Sequence, residues 1–340
     1  MARAATDVPQ TPQRAGFGRR VATALIRRRE ASILLVLVGL VVYFSLRTDA
    51  FFGTDNARVI AEFSAPIAII AAGQVMLLIC GEIDLSVGMV YAFSSWIFYF
   101  GVTDWGLPIW LAVIVGLLSG SAVGLVNGII TVGVGVPSFI TTLGMAYVLN
   151  GLTLNISGAF PVETPGGETF FRIFGGSPYT TVYWALGVIA VMTILLTRTR
   201  WGLHTVATGG NLLGASESGV NIRKVKIGNF VLCSTLGALA GILESVRIDT
   251  IQALQGGFPV MFYAVAAAVI GGTSLFGGSG TIIGAALGVG VLAVLNLGFT
   301  LQGISAYTFD LVLGIAIIAS MALNVTLERI RQSGRFGSSA

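Results

Sequence analysis

NLLGASESGVNIRKVK, residues 211–226, is a polar and basic stretch between two long apolar runs, and it holds both lysines of the chain. Its first half is bounded like a short helix. Asn211 can cap the start, its side-chain oxygen accepting a backbone N–H of the first turn. Gly219 can end the helix in the left-handed conformation that residues with a Cβ avoid. About two turns of helix are expected between them, with the basic run Arg223, Lys224 and Lys226 following. A sharply bounded helix on the basic face of a membrane protein suits docking into a partner. A solvated linker is the other reading, its charge serving only to fix topology.

The apolar runs on either side set the class. Hydrophobic residues make up 55% of the 340-residue chain and charged residues 10%, with a mean hydropathy of +0.89. Soluble domains carry about a quarter charged residues, so this chain lacks the polar surface to cover itself in water. Apolar stretches of about twenty residues, the length that crosses a hydrocarbon core, recur throughout. They do not alternate as barrel strands would. The expected fold is an all-α polytopic membrane protein. Its 46 glycines suit helices packed closely through small residues. Cys80 and Cys233 lie inside apolar segments and frame no disulfide. The net charge of +4 reflects the placing of loops and points to no nucleic-acid partner.

A basic arm, residues 1–30, precedes the transmembrane region, 31–325, and a tail, 326–340, follows it. The arm has no small-residue cleavage site behind it and is expected to be retained. Ten spans can be drawn, the first five being Ser32 to Leu46, Val59 to Cys80 with an interruption at Pro66, Leu85 to Phe100, Leu107 to Ile130, and Pro137 to Ile156. The others are Thr181 to Leu196, Ile227 to Val246, Val260 to Ile270, Thr281 to Phe299, and Thr308 to Val325. Prolines 161, 165 and 178 mark residues 157–180 as an exposed loop. The arm, the loop 198–226 and the tail together hold fifteen of the 19 basic residues. An even number of spans puts all three on one side, which the positive-inside rule makes the cytoplasm.

Two stretches interrupt the spans with glycine: Gly81 to Gly88 (GEIDLSVG) and Gly271 to Gly280 (GGTSLFGGSG). They align at Gly81/Gly271, Leu85/Leu275 and Gly88/Gly278, and Val126 to Gly144 resembles Leu295 to Gly314. Paired interrupted segments in two halves point to a transport site. Chance matching in glycine-rich apolar sequence gives the same pattern. The spacing leaves parallel and inverted halves both open.

Asp84 is the residue to explain first, because a carboxylate at membrane depth must face protein or a water-filled cavity. Flanked by Glu82 and Ser86, it suits a broken helix that lines a cavity. It also suits a cap on the third helix, bonding that helix's free N–H groups, and the two roles are compatible. Asn127, Asn150, Asn155 and Asn296 can hydrogen-bond a hydroxylated solute, although Asn and Thr in packed helices also bond their neighbours. The candidate translocation-path residues are Asp84, Ser86, Asn127, Thr141, Asn150 and Asn296. Glu244 and Arg247, three apart on one helical face, are expected to pair with each other. The chain has no G-x-x-x-x-G-K-[ST] loop, and its single histidine, His204, stands without a ligand cluster. A cofactor or nucleotide bound by this chain, and an enzyme activity, are not expected. A secondary transporter or channel working without an ATPase is the alternative class.

These blocks resemble the permease subunit of bacterial ABC importers of the ribose/xylose/arabinose type. The similar stretches are GEIDLSVG (81–88), LVNGIITVGVGVPSFITTLGM (125–145), ATGGNLLGASESGVNIRKVKI (207–227), GALAGILES (237–245) and IGGTSLFGGSGTIIGAALG (270–288). The resemblance implies a pore of two permease copies, a cytoplasmic ATPase that hydrolyses ATP, and an extracytoplasmic sugar-binding protein. It also implies a multi-pass location in the inner membrane and transport of a monosaccharide, pentose-type, or a related polyol by alternating access. The family's ATPase-coupling helix matches Asn211, Leu212, Leu213, Gly214, Ala215, Ser216, Glu217, Ser218 and Gly219. Three places depart from the family pattern: Glu82 stands for a second glycine, Phe258 to Tyr263 for an acidic segment, and Leu297 for a second asparagine. The resemblance therefore carries the importer and not a particular sugar.

Overall fold

The computed structural model describes residues 29–332 apart from residue 49, so most of the basic arm and Arg335 of the tail lie outside it. The order of helices is α1 (Arg29–Arg47), α2 (Thr54–Ile79), α3 (Val87–Thr103), α4 (Ile109–Ile129), α5 (Ser138–Ser157), α6 (Glu168–Phe174) and α7 (Pro178–Arg198). Then come α8 (Arg200–Gly210), α9 (Leu212–Glu217), α10 (Ile222–Ile248), α11 (Gly257–Ile270), α12 (Ile282–Leu301) and α13 (Ala306–Gln332). Seven of these helices are long and apolar enough to cross a membrane, and three further apolar helices are shorter. The protein is a multi-pass, all-α membrane protein.

The core is built around α2. Every residue from Ala65 to Ile79 is buried, and α2 packs on α7, α10, α11 and α12. A helix apolar on all sides belongs in the centre of a bundle. Pro66 does not interrupt it: α2 runs unbroken through that position. Proline removes one amide from the ladder, and packing on all sides holds the remaining turns.

Close packing through glycine is clearest between α4 and α10. Gly116, Gly120, Gly124 and Gly128 recur every fourth residue on one face of α4. A Cβ on them would meet Ile242, Ala238, Phe230 and Ile227 of α10 in turn. The falling partner numbers show that the two helices run antiparallel. Because lipid supplies no hydrophobic drive between helices, this backbone approach gains the van der Waals contact that holds the pair.

Residues 157–180 are not the simple exposed loop that their prolines indicate. Val162–Glu163 pairs antiparallel with Thr250–Ile251, and Thr164 Oγ1 donates to the Ser245 carbonyl at 2.8 Å. The short helix α6 buries Phe170 and Phe174, one turn apart. Their rings lie 4.8 Å apart, and Phe170 stacks on Phe98 at 5.7 Å. Burying each such ring contributes roughly 1.5–3 kcal/mol, which outweighs the turn-forming tendency of the flanking prolines. The segment is a folded cover across the ends of α3, α7 and α10.

Candidate functional site

The two glycine-interrupted segments close in the same way and meet. After α2, Gly81 takes a φ of +75°, its N–H donates to the Leu78 carbonyl at 2.9 Å, and the Glu82 N–H reaches back to Leu77 at 3.0 Å. After α11, Gly272 takes a φ of +83°, donating to Val269 at 2.9 Å, and the Thr273 N–H reaches Ala268 at 3.0 Å. This is the left-handed ending that glycine allows. It matches Gly81 with Gly272, one residue away from the sequence alignment. The Gly278 N–H donates to the Ile79 carbonyl at 2.8 Å. The turns that follow α2 and α11 therefore meet at one junction.

A third backbone enters the junction from α8. Gly209 lies so close to the Ile79 carbonyl that a Cβ would overlap it, and would come within 2.6 Å of the Gly278 nitrogen. Buried Asn229 of α10 fastens α8 in place. Its Nδ2 donates to Thr205 Oγ1 at 3.1 Å and lies 3.0 Å from Cys80 Sγ. Its Oδ1 accepts from Trp201 Nε1 at 2.8 Å.

Directly after Gly210 comes α9. Asn211 Oδ1 accepts the Gly214 N–H at 3.0 Å. Gly219 has a φ of +82°, and the Val220 N–H closes onto the Ala215 carbonyl at 3.0 Å. Both ends of this six-residue helix are thus locked. Ala215 faces inward while Leu212 and Leu213 are 50% and 71% exposed. The basic run lies elsewhere than the sequence suggests. Asn221 caps α10 by accepting the Lys224 N–H at 3.0 Å, so Arg223, Lys224 and Lys226 occupy the first turns of α10. Lys226 Nζ pairs with the Glu82 carboxylate in the first break.

Asp84 sits inside that break, fully buried with Ser86 and Asn127. Its Oδ1 accepts the Ser86 N–H at 2.8 Å and the Ser86 hydroxyl at 2.6 Å. Its Oδ2 accepts the Ser234 hydroxyl of α10 at 2.9 Å. Asn127 Nδ2 donates to Ser86 Oγ at 2.8 Å, and buried Gln74 of α2 donates to the Asp84 carbonyl. The network ties three helices, α2, α4 and α10, to a backbone turn that has no helical hydrogen bonds of its own.

A family profile described as "Branched-chain amino acid transport system / permease component" matches residues 56–321. The chain belongs to this permease family. A xylose/arabinose import permease protein of Sulfolobus acidocaldarius is 39% identical over 298 residues, covering 85% of this chain and 82% of the relative. The ribose import permease protein of Escherichia coli K12 is 35% identical, covering 85% and 91%. The D-allose transport system permease protein of the same strain is 31% identical, covering 84% and 87%. No solved structure matches the chain significantly.

The permease brings together only half of the residues its sequence nominates for a solute path. Asp84, Ser86 and Asn127 form one cluster. Thr141 is buried on α5 without a hydrogen-bond partner among the described residues, and Asn150 and Asn296 are half-buried on α5 and α12. The cap reading of Asp84 needs correcting: it holds the amide of Ser86, which precedes α3, and not the first amides within the helix. Glu244 and Arg247 do pair, at 2.6 Å, and Arg247 also reaches Glu62 at 3.2 Å. Gln74, Asn229 and Ser234 were missed. A lone polar residue in an apolar run carries no signal of which neighbour it will meet.

Proposed function

We propose that this permease is the transmembrane subunit of an ATP-driven importer for a monosaccharide, pentose-type, or a related polyol. It works as a homodimer with a cytoplasmic ATPase and an extracytoplasmic sugar-binding protein. It sits in the inner membrane with both termini in the cytoplasm, as its clustered basic residues favour. The names of the relatives support the solute class. The observation that carries the mechanism is α9, a helix locked at both ends, with two leucines facing outward, joined through Gly209 to the junction of both broken segments.

In this reading the ATPase pair grips Leu212 and Leu213. A short helix with fixed ends moves as one body, so displacement of α9 passes into Gly209 and α10 without being absorbed by bending. Gly209 bears directly on Ile79 and Gly278, and both breaks shift with it. Packed elements of this kind switch between discrete arrangements, which is the physical basis of alternating access. This chain binds no ATP in the proposal; the partner supplies the energy.

The double variant Asn211→Leu with Gly219→Val tests this reading. Loss of the cap costs about 0.5–2 kcal/mol of local helix stability, and a β-branched residue at a positive φ is strained. The variant is expected to insert and dimerise as wild type while losing ATPase association and sugar-stimulated hydrolysis. Wild-type ATPase binding and uptake in a well-folded double variant would make residues 211–219 a linker.

A further inference from the structure

Lys226 and Glu82 join the base of α10 to the turn that follows α2. Lys226 stands on the first turns of α10, four residues beyond a helix start that Asn221 caps, and only a short connection separates it from α9. Glu82 stands in the turn between the end of α2 and Asp84, its own amide closing onto Leu77. The pair spans 144 residues of sequence. Both side chains are largely withdrawn from solvent, at 14% and 12% exposure. Among the described residues, neither has a second ion-pair partner. The turn it grips is held on its other side by Ser138 of α5, whose hydroxyl accepts the Ile83 N–H at 3.3 Å.

We infer, on the ATP-driven reading above, that Glu82–Lys226 is a charge clamp that keeps the permease in its resting arrangement and sets the threshold for coupling. The break after α2 has no helical ladder between residues 83 and 86, so side chains must fix its position. Gln74, Asn127 and Ser234 hold its deep end through Asp84 and Ser86. Glu82 holds its shallow end, and it holds it to the element that continues from α9. When the ATPase displaces α9, Lys226 moves with the base of α10, and the ion pair separates before the break can shift. In a mostly dehydrated site that separation is opposed by weakly screened attraction. Both residues act as positioning groups; neither touches the solute.

The test uses the assembled transporter in lipid: permease, ATPase and binding protein, with and without sugar. Four variants are compared with wild type: Glu82→Gln, Lys226→Met, the two together, and the exchange Glu82→Lys with Lys226→Glu. The double neutral variant removes the pair without stranding a charge, and melting of each variant in detergent reports folding separately. The clamp predicts that the double neutral variant hydrolyses ATP without sugar at least about fivefold faster than wild type, the low end of coupling between sites. Stimulation by sugar-loaded binding protein should fall by the same factor, and the exchanged pair should restore both. A double neutral variant with wild-type basal hydrolysis and stimulation would overturn the clamp, as would an exchanged pair no better coupled than the single variants. A wild-type complex whose hydrolysis ignores the sugar-loaded binding protein would overturn the importer reading itself, and the clamp with it.

Discussion

The permease carrying Gly209→Val is expected to lose sugar transport and to be destabilised by about 3 kcal/mol or more, the upper range for overpacking a closed site. A side chain at residue 209 meets the Ile79 carbonyl and the Gly278 amide. Both are backbone groups of the broken segments, so neither can swing aside as a flexible side chain would. The adjacent Gly210→Ala provides the comparison, because a Cβ at residue 210 meets nothing within 4 Å. Alanine also favours helix over glycine, so this change should lie within about 0.5 kcal/mol of wild type. Melting of both proteins in detergent, with uptake measured in proteoliposomes, decides the matter. A Gly209→Val protein that melts and transports like wild type would mean that α8 does not bear on the junction.

Asp84 gives the second large effect. Asp84→Leu removes the acceptor for the Ser86 amide and for two hydroxyls at once. The hydroxyls can turn to other partners, but the amide is left unpaired in a closed core. Each such loss costs about 1–3 kcal/mol, and the carboxylate's bonds are at the strong end. The expected result is a protein that fails to accumulate in the membrane. Asp84→Asn keeps an oxygen for the Ser86 amide, and its new N–H can donate to Ser234. That variant should fold and keep most of its uptake if Asp84 serves to hold the turn. Uptake abolished in a stably folded Asp84→Asn permease would instead place the carboxylate on the solute path.

What could be read from sequence follows from the range of the interactions. The all-α, multi-pass character was legible because burial in hydrocarbon acts on every residue of a segment, and the glycine breaks because no continuous helix contains them. The ends of α9 were legible because caps are local: Asn211 and Gly219 each need only their own few neighbours. Pro66 was misread as an interruption because its tolerance depends on packing around α2, which is a tertiary fact. In residues 157–180 the prolines dominated the reading, and the one-turn spacing of Phe170 and Phe174 was the overlooked signal. Gln74, Ser234 and Asn229 gave none, since each acts only once the fold brings another segment against it. Lys226 read as topology charge, and its pairing with Glu82 became visible only with α10 and the first break in contact.

The most direct measurement reconstitutes the permease in proteoliposomes and follows a labelled pentose, first with the permease alone and then with its ATPase and sugar-binding protein. Uptake is expected to require ATP and the binding protein, with no flux through the permease alone. Pentose moving down its gradient through the permease alone, with no gain from ATP, ATPase or binding protein, would contradict it and make the protein a channel or secondary transporter.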